Sequence, residues 1–184
     1  MKTMTTMTTV AVTKAFNAGY VSLNGLKVKN TDVRRNCSDT DIPANEAEFW
    51  TKAQNMSRKQ KGDFVEALFT KSQNTEKTLC LQTGKSHDAG VDAIVFSNMN
   101  TVIQTKIVCT KRKDGSPASI GICSIHGLMD DIKRRATKKY GFSLKDVTVV
   151  LATPNPLSRE ARKYCAANHI VVICGKKFFA TVLR

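Results

Sequence analysis

The sequence has few of the features that mark membrane-bound and secreted proteins. It has no run approaching the roughly eighteen apolar residues of a membrane-spanning helix. After Lys2 the chain is rich in threonine, whereas a secretory signal would need an apolar stretch of roughly 7–15 residues there. At 184 residues and 41% hydrophobic, the chain is long enough to bury one proper core. We therefore expect one main domain in an intracellular protein that has no membrane partner.

Acidic residues are also scarce: 15 Asp and Glu stand against 29 Lys and Arg, for a formal net charge of +14. Residues 58–184 hold 22 basic and 10 acidic residues, whereas residues 1–57 hold 7 and 5. Such an excess favours polyanions through counterion release, and nucleic acid is the first candidate. An acidic membrane surface fits less well, because no segment pairs a clean apolar face with a basic one. A merely solvated basic surface is the remaining alternative.

Paired cysteine spacings are missing as well. The six cysteines include no CxxC, so a structural zinc site is not predicted. Several lie in apolar runs, such as Ile107-Val-Cys109 and Val172-Ile-Cys174. We expect these to be reduced thiols in the core of an intracellular protein.

The N-terminal part of the chain shows weak periodicity. Its first acid is Asp32, and this threonine-rich, lysine-bearing stretch has the composition of an organelle transit peptide, although arginine first occurs at Arg34. Mitochondrial or plastid targeting is one interpretation, and a flexible or lightly folded arm is the other. We predict an N-terminal arm at 1–43, a lead-in helix at 44–57 and the main domain at 58–184.

The order of patterns along the main domain indicates an α/β fold. Helical spacing begins at Lys59, and strand-like runs follow at 78–82, 91–96 and 102–108. A helix over 125–136 is stopped by Gly141, and a buried strand covers 147–152. Ser158 caps a helix that runs to about 168, and a second buried strand (170–173) and a terminal helix (177–183) close the chain. This order predicts a mixed sheet with helices packed on it.

Four motifs in sequence order resemble the Mrr-type restriction endonucleases. This family is a branch of the PD-(D/E)XK nuclease superfamily, to which archaeal Holliday-junction resolvases also belong. The resemblance implies a restriction-endonuclease-like three-layer core, with a central mixed sheet flanked by helices, over about 58–184. Asp92 would open its second strand and Lys106 would lie on the third. The motifs are Gly62-Asp-Phe-Val-Glu66, Asp88-Ala-Gly-Val-Asp92, Gln104-Thr-Lys106 and a tail that begins at Val149-Val-Leu-Ala-Thr-Pro-Asn-Pro.

The resemblance further implies a Mg²⁺-dependent hydrolase of phosphodiester bonds, with Mn²⁺ as a plausible substitute. Asp92 would supply a ligating carboxylate, and the backbone carbonyl of Thr105 would face the same ion. Lys106 would hold or help deprotonate the attacking water, while Glu66 would bind a metal-coordinated water. Gln104, a further ligand, replaces the superfamily's usual Asp or Glu. The Mrr branch commonly carries Gln there, but a neutral ligand holds Mg²⁺ more weakly, which leaves room for one metal or for an inactive relative.

Each of these residues also has an ordinary structural explanation. Asp92 could flank a turn, Lys106 could reach solvent from a strand end, and Glu66 could lie on a helix surface. Asp88 is expected to be a turn residue, and His87 a loop residue near the site.

Basic clusters near the site are expected to hold nucleic acid, and DNA in particular. No helix-turn-helix or zinc finger is evident, and residues 1–57 look too short for the recognition domain of Mrr restriction enzymes. We therefore expect a DNA endonuclease that acts by structure preference or through a targeting partner protein. The alternatives are an inactive nucleic-acid-binding protein on the same fold, and a Holliday-junction-resolvase-like enzyme, which would imply a homodimer. The clusters are Lys111, Arg112 and Lys113, and Lys133, Arg134 and Arg135.

Overall fold

The fold is described from a computed structural model of the chain. It describes residues 20–23, 26–29, 31, 33, 40–75, 78–83, 90–96, 100–108 and 110–183. The predicted turn residue Asp88, its neighbour His87, Cys37, Cys109 and the first nineteen residues lie outside these ranges. The expectation of a transit peptide therefore stays a prediction.

A five-stranded mixed sheet forms the centre of the protein. Its strand order is β3-β4-β5-β6-β7, in which β3, β4 and β5 are antiparallel neighbours and β5, β6 and β7 are parallel. A separate antiparallel hairpin, β1 and β2, precedes it. The strands are β1 Tyr20–Leu23, β2 Leu26–Lys29, β3 Leu79–Gln82, β4 Ala93–Phe96, β5 Asn100–Thr105, β6 Val147–Thr153 and β7 Val171–Cys174.

Three of the described helices begin at a residue that local chemistry favours, and one ends at such a residue. Asn45, Ser57 and Ser158 each cap a helix by accepting a hydrogen bond from a backbone N–H of the first turn. Gly141 ends another helix in the left-handed conformation, with φ of 69°. The helices are α1 Glu46–Gln54, α2 Arg58–Gln73, α3 Ile122–Asp131, α4 Thr137–Tyr140, α5 Arg159–Ala167 and α6 Lys176–Val182, with a π-helical turn, Ile132–Ala136, between α3 and α4.

Helices cover both faces of the sheet, which gives the predicted three layers. On one face, α3, α4 and α5 pack on alternate strand residues such as Val102 and Leu151. On the other, α1, α2 and α6 pack on the residues between them, such as Ile103 and Val150. The α/β fold class with a central mixed sheet is therefore confirmed. None of the helices within the described ranges is long and apolar enough to cross a bilayer.

Helix α1 belongs to the helical layer that also contains α2 and α6. Phe49 of α1 stacks on Phe64 of α2 with ring centroids 5.4 Å apart, and it meets Phe179 of α6 edge-on at 5.2 Å. The lead-in helix therefore contributes to the same core as the main domain. The division of the chain at 57/58 stays a prediction.

Several predicted element boundaries and burials were wrong in detail. The third strand of the main domain was predicted to reach residue 108 but ends at Thr105, where the chain leaves for a loop. The last strand was predicted to be buried, yet Val171 is 47% exposed because β7 is an edge strand. The helix predicted over 125–136 contains the π-helical turn. No strand was predicted near Leu26 and Val28, which are buried in the core on the sheet face that α3, α4 and α5 cover.

The cysteines divide by burial. Cys80 and Cys165 are buried free thiols, and burial raises the pKa of the Cys165 thiol. Cys174, which was expected in the core, is half-buried, and Cys123 is exposed.

Candidate active site

One end of the sheet gathers most of the predicted site residues. Because β4 and β5 are antiparallel, the start of β4 lies beside the end of β5. Asp92, directly before β4, donates its backbone N–H to the carbonyl of Ile103 at 2.8 Å, and its own carbonyl accepts from Thr83 at 2.8 Å. Extending the register by one residue places Asp92 opposite Gln104. The antiparallel pairing thus brings the Asp92 and Gln104 motifs together at one end of the sheet.

The Asp92 side chain is almost fully buried, at 5% exposure, and is held by three donors on one oxygen. Its Oδ2 accepts from the backbone N–H of Thr105 at 2.6 Å and from the Thr105 hydroxyl at 2.9 Å. The third donor is Gln104 Nε2, at 2.5 Å. Hydrogen bonds of this kind offset the cost of burying a carboxylate and fix its orientation.

Gln104 bridges two of the oxygens that were predicted to face a cation. Its Nε2 lies 2.5 Å from Asp92 Oδ2 and 3.0 Å from the backbone carbonyl oxygen of Thr105. An electropositive amide group therefore sits where a carboxylate oxygen and a carbonyl oxygen converge. Rotation of the amide about its last bond would present Oε1 in place of Nε2. Asp92 Oδ2, the Thr105 carbonyl oxygen and Gln104 Oε1 would then be three oxygen ligands, which suits a hard divalent cation such as Mg²⁺.

Only one of these three possible ligands, Asp92, is a carboxylate. Within the ranges that the structure describes, no cluster of three or more His, Cys, Asp or Glu side chains is arranged to hold a metal ion. A cation at Asp92 would therefore depend on neutral oxygens and water for its remaining ligands, an arrangement that Mg²⁺ commonly tolerates.

Lys106 lies at the same edge, one residue beyond the end of β5. Its backbone N–H donates to the carbonyl of Ala152 at 3.1 Å, so its position is fixed by the neighbouring strand β6. Alternation along the chain puts its side chain on the same face as Gln104, and the side chain is exposed to solvent. Lys106 is thus placed beside the Asp92 cluster with its ammonium group open to an incoming ligand.

Glu66 reaches this end of the sheet by a different route. Its Oε2 accepts from Gln82 Nε2 at 3.0 Å. Gln82 is the last residue of β3, is 4% exposed, and precedes Thr83, the partner of Asp92. Glu66 and Gln82 lie on the face covered by α2, whereas Gln104 lies on the face covered by α3. Sequence reasoning missed Gln82. The feature that could have revealed it is a single amide side chain at the end of an otherwise apolar strand.

Asn155 is a second residue that sequence reasoning missed. It is fully buried just past β6. Its Oδ1 accepts from the backbone N–H of Val108 at 2.9 Å, while its Nδ2 donates to the carbonyls of Val108 at 2.8 Å and Ala118 at 3.0 Å. Asn155 thus ties both ends of the loop after Lys106 to the edge of the sheet.

That loop carries the first predicted basic cluster. Lys111, Arg112 and Lys113 are all exposed. Arg112 donates through Nη2 to the Ser119 hydroxyl. At the tip, the hydroxyl and backbone N–H of Ser116 donate to Asp114 and hold the pKa of that carboxyl below its usual value. The loop therefore presents three cations to solvent, together with the Asp114 carboxylate, whose lowered pKa keeps it ionised.

The second cluster lies on the π-helical turn, and part of its charge is paired. Arg134 Nε lies 2.8 Å from Asp130 Oδ1, and Arg135 Nη1 lies 3.3 Å from Asp131 Oδ1. The side chain of Asp131 lies close to Gly90, two residues before Asp92, because a Cβ at Gly90 would be 2.8 Å from Asp131 Cβ. The cluster is therefore near the same edge, but two of its cations already face carboxylates.

Comparison with known proteins adds one finding. A family model described as Restriction endonuclease, the Mrr_cat family, matches residues 53–182. No curated protein matches the chain significantly, and no solved structure does so either.

Proposed function

Because the chain belongs to the Mrr-type restriction endonuclease family and is thus a nuclease of that family, we propose that it is a metal-dependent DNA endonuclease. One observation carries the proposal: Asp92 Oδ2 and the Thr105 carbonyl oxygen converge on the Gln104 amide, beside the exposed Lys106. Asp92, the amide oxygen of Gln104 and the Thr105 carbonyl would hold Mg²⁺ or Mn²⁺, with Glu66 acting through a water. The cation would activate water and neutralise charge on the phosphate.

The side chains of this chain would then orient and stabilise the reacting groups. The backbone N–H and the hydroxyl of Thr105 both donate to Asp92 Oδ2, so the carboxylate is held in one orientation. Lys106 would hold the attacking water and take up part of the negative charge that develops on the phosphate oxygens. Glu66, fixed by Gln82, would accept a hydrogen bond from a water on the other side of the edge.

DNA binding would come from the charged surface around this edge. The loop of Lys111, Arg112 and Lys113 follows Lys106 directly, so it would contact the phosphates next to the one that is cleaved. These contacts carry no sequence information by themselves. The proposal therefore includes preference for DNA structure, or targeting by a partner protein, instead of direct base reading.

A second candidate function is nucleic-acid binding without catalysis. It is favoured by Gln104, which stands where an acid would bind a cation more tightly and which donates to Asp92. In that case the basic surface would be retained and the Asp92 cluster would serve only the fold.

Cleavage assays separate the two functions. We expect the purified protein to cut supercoiled plasmid, linear duplex, single strand or a four-way junction in Mg²⁺ or Mn²⁺ but not in EDTA. Asp92→Asn and Lys106→Ala should each lower the cleavage rate by about a hundredfold or more. Lys145→Ala, a matched lysine in the loop before β6 at the opposite end of the sheet, should cut at the normal rate.

Binding measured on the same proteins completes the test. Lys106→Ala should still bind DNA, because it removes one of many positive charges. Absence of cleavage with every substrate and metal, combined with salt-sensitive binding that neither substitution changes, would exclude the nuclease and favour the second function.

A further inference from the structure

A small groove lies between helix α1 and the basic loop. Its volume is about 160 Å³, below the roughly 300–1,000 Å³ of pockets that take drug-sized ligands. One planar ring would fill it. The groove is lined by Glu46, Trp50 and Gln54 from α1 and by Lys111, Gly115 and Pro117 from the loop.

The α1 wall presents a fixed aromatic ring. Trp50 is half-buried, and its Nε1 donates to Glu46 Oε1 at 3.4 Å, one helical turn away. Phe49 and Phe179 meet the indole edge-on, at interplanar angles of 87° and 68° and centroid distances of 5.2 and 6.2 Å. The ring is therefore held in place by neighbours that are not stacked parallel to it.

The loop wall is also ordered by its own hydrogen bonds. Lys111 and Pro117 form an isolated antiparallel bridge. Between them Arg112 N–H donates to the Ser116 carbonyl at 2.8 Å, and Gly115, at φ of 80°, donates to the Arg112 carbonyl at 3.0 Å. The groove is thus bounded by two walls that are each defined before any ligand binds.

The charges at the groove decide which part of a nucleotide would enter it. Glu46 lies on the α1 side, where its carboxylate would repel a phosphate. Lys111 lies on the loop side and attracts one. A base would therefore lie against Trp50 while its phosphate lies toward Lys111.

The groove is also close to the candidate active site along the chain. Lys111 follows Lys106 by five residues, which span at most about 18 Å. A nucleotide bound there would thus be only a few positions from the phosphate at Lys106.

We propose that this groove binds one unpaired base of the substrate strand, stacked on Trp50, with its phosphate contacted by Lys111. The inference rests on the proposed function and deepens it. A base inside a duplex is stacked on both faces and cannot reach an indole, and flipping it out costs a few kcal/mol, so an unpaired base would bind more tightly. The substrate class is therefore DNA with unpaired nucleotides close to the cleavage point, such as a single strand, a flap or a bubble.

Trp50 is the single tryptophan of the sequence, so its fluorescence reports on this groove. The Lys106→Ala protein, which should not cut its ligand, is titrated with a single-stranded oligonucleotide and with the blunt duplex of the same length. Binding itself is followed by the anisotropy of a dye on the DNA. We expect the single strand, and a duplex with a central bubble, to quench Trp50 emission to saturation, while the blunt duplex leaves it nearly unchanged.

Substitutions test whether the ring itself binds the base. Trp50→Ala should weaken single-strand binding by roughly five- to a hundredfold, and Trp50→Phe should keep most of the affinity. Tyr164→Ala is the matched control, since Tyr164 is also a half-buried aromatic residue but lies on α5, on the other face of the sheet. It should keep single-strand affinity, and thermal melting should verify that all three variants are folded.

The outcomes separate this inference from the proposed function. Single-strand binding with unchanged Trp50 emission, or equal losses in Trp50→Ala and Tyr164→Ala, would overturn the inference and leave the nuclease intact. Quenching by the blunt duplex as strong as by the single strand would overturn it too. Absence of binding to every nucleic acid would overturn both proposals.

Discussion

At the scale of single residues, Asp92 determines the character of the candidate site. A buried carboxylate is costly unless it is hydrogen-bonded, and here Thr105 and Gln104 supply three donors to one oxygen. Thr105 holds the carboxylate whatever else is bound, because it donates through its backbone as well as its hydroxyl. Gln104 holds it with a side-chain amide that can rotate, so this residue is the adjustable part of the site.

Replacement of Gln104 by glutamate is the sharpest test of this difference. Without metal, Gln104→Glu would put a second carboxylate against Asp92 and should destabilise the protein by about 1–3 kcal/mol. With Mg²⁺, the two carboxylates would share a cation, so the melting temperature should rise much more than that of the natural protein. Melting curves with and without Mg²⁺ measure both effects. Equal Mg²⁺ responses in the two proteins would contradict a cation site at Asp92.

Gly90 shapes the approach to Asp92 through its backbone. It has φ of 77°, and an added Cβ would lie 2.8 Å from Asp131 Cβ on α3. Gly90→Ala should therefore lower the free energy of unfolding by about 1–3 kcal/mol. Denaturant unfolding measures the change.

The matched control for Gly90 is Gly127, an exposed glycine within α3. A Cβ there would meet no atom within 4 Å. Gly127→Ala should raise the free energy of unfolding by about 0.5–1 kcal/mol, because alanine is the better helix former. Similar effects at both glycines would contradict a steric role for Gly90.

At the scale of elements, the loop between β5 and α3 is held by the segment that follows β6. Asn155 bonds to both ends of this loop, and the backbone N–H of Ile120 donates to the carbonyl of Pro156 at 2.9 Å. Strand β6 therefore positions Lys106 through Ala152, and the segment directly after it positions the basic loop through Asn155. Residues of one short stretch thus support the proposed catalytic lysine and the proposed DNA contacts.

Removal of the Asn155 side chain should weaken both. Asn155→Ala would leave the backbone groups of Val108 and the carbonyl of Ala118 without their partner, and should cost about 2–4 kcal/mol of unfolding free energy. DNA binding measured below the melting temperature should fall too, because the loop loses its fixed position. Asn155→Asp keeps the acceptor for Val108 but puts a buried carboxylate oxygen against two carbonyl oxygens, so its loss of unfolding free energy should be at least as large. Full DNA affinity in Asn155→Ala would show that the loop is held by other contacts.

At the scale of the whole molecule, part of the positive charge lies near the end of the sheet that holds Asp92. The chain carries a formal net charge of +14, and exposed cations lie in the loop after Lys106 and on the π-helical turn near Gly90. A polyanion drawn to the protein would thus be guided toward the end of the sheet that holds Asp92.

The salt dependence of DNA binding tests this distribution. Each phosphate contact should contribute about 0.9 to the slope of log affinity against log salt. Lys113→Ala should therefore lower the slope by about one and weaken binding to all sequences alike. Lys145→Ala removes the same charge at the opposite end of the sheet and should leave the slope nearly unchanged. Equal effects of the two substitutions would mean that DNA binds without preference for the Asp92 edge.

The sequence by itself determined what depends on neighbours along the chain. The cap at Ser158 and the helix stop at Gly141 were predicted from the sequence because each depends on bonds within one turn of backbone. The element order likewise predicted a mixed sheet, and the resemblance to the Mrr-type endonucleases assigned Asp92 and Gln104 to one site.

Only the tertiary structure decided what depends on contacts between distant segments. Three contacts join residues that no periodic pattern connects. They are the bridge from the Gln104 amide to Asp92 and Thr105, the hydrogen bond from Gln82 to Glu66, and the hydrogen bonds of Asn155 to the basic loop. The exposure of Val171 followed from the edge position of β7, since an apolar run looks the same in a central and in an edge strand. Strand order and side-chain hydrogen bonds arise from the packing of the whole chain, so local sequence cannot specify them.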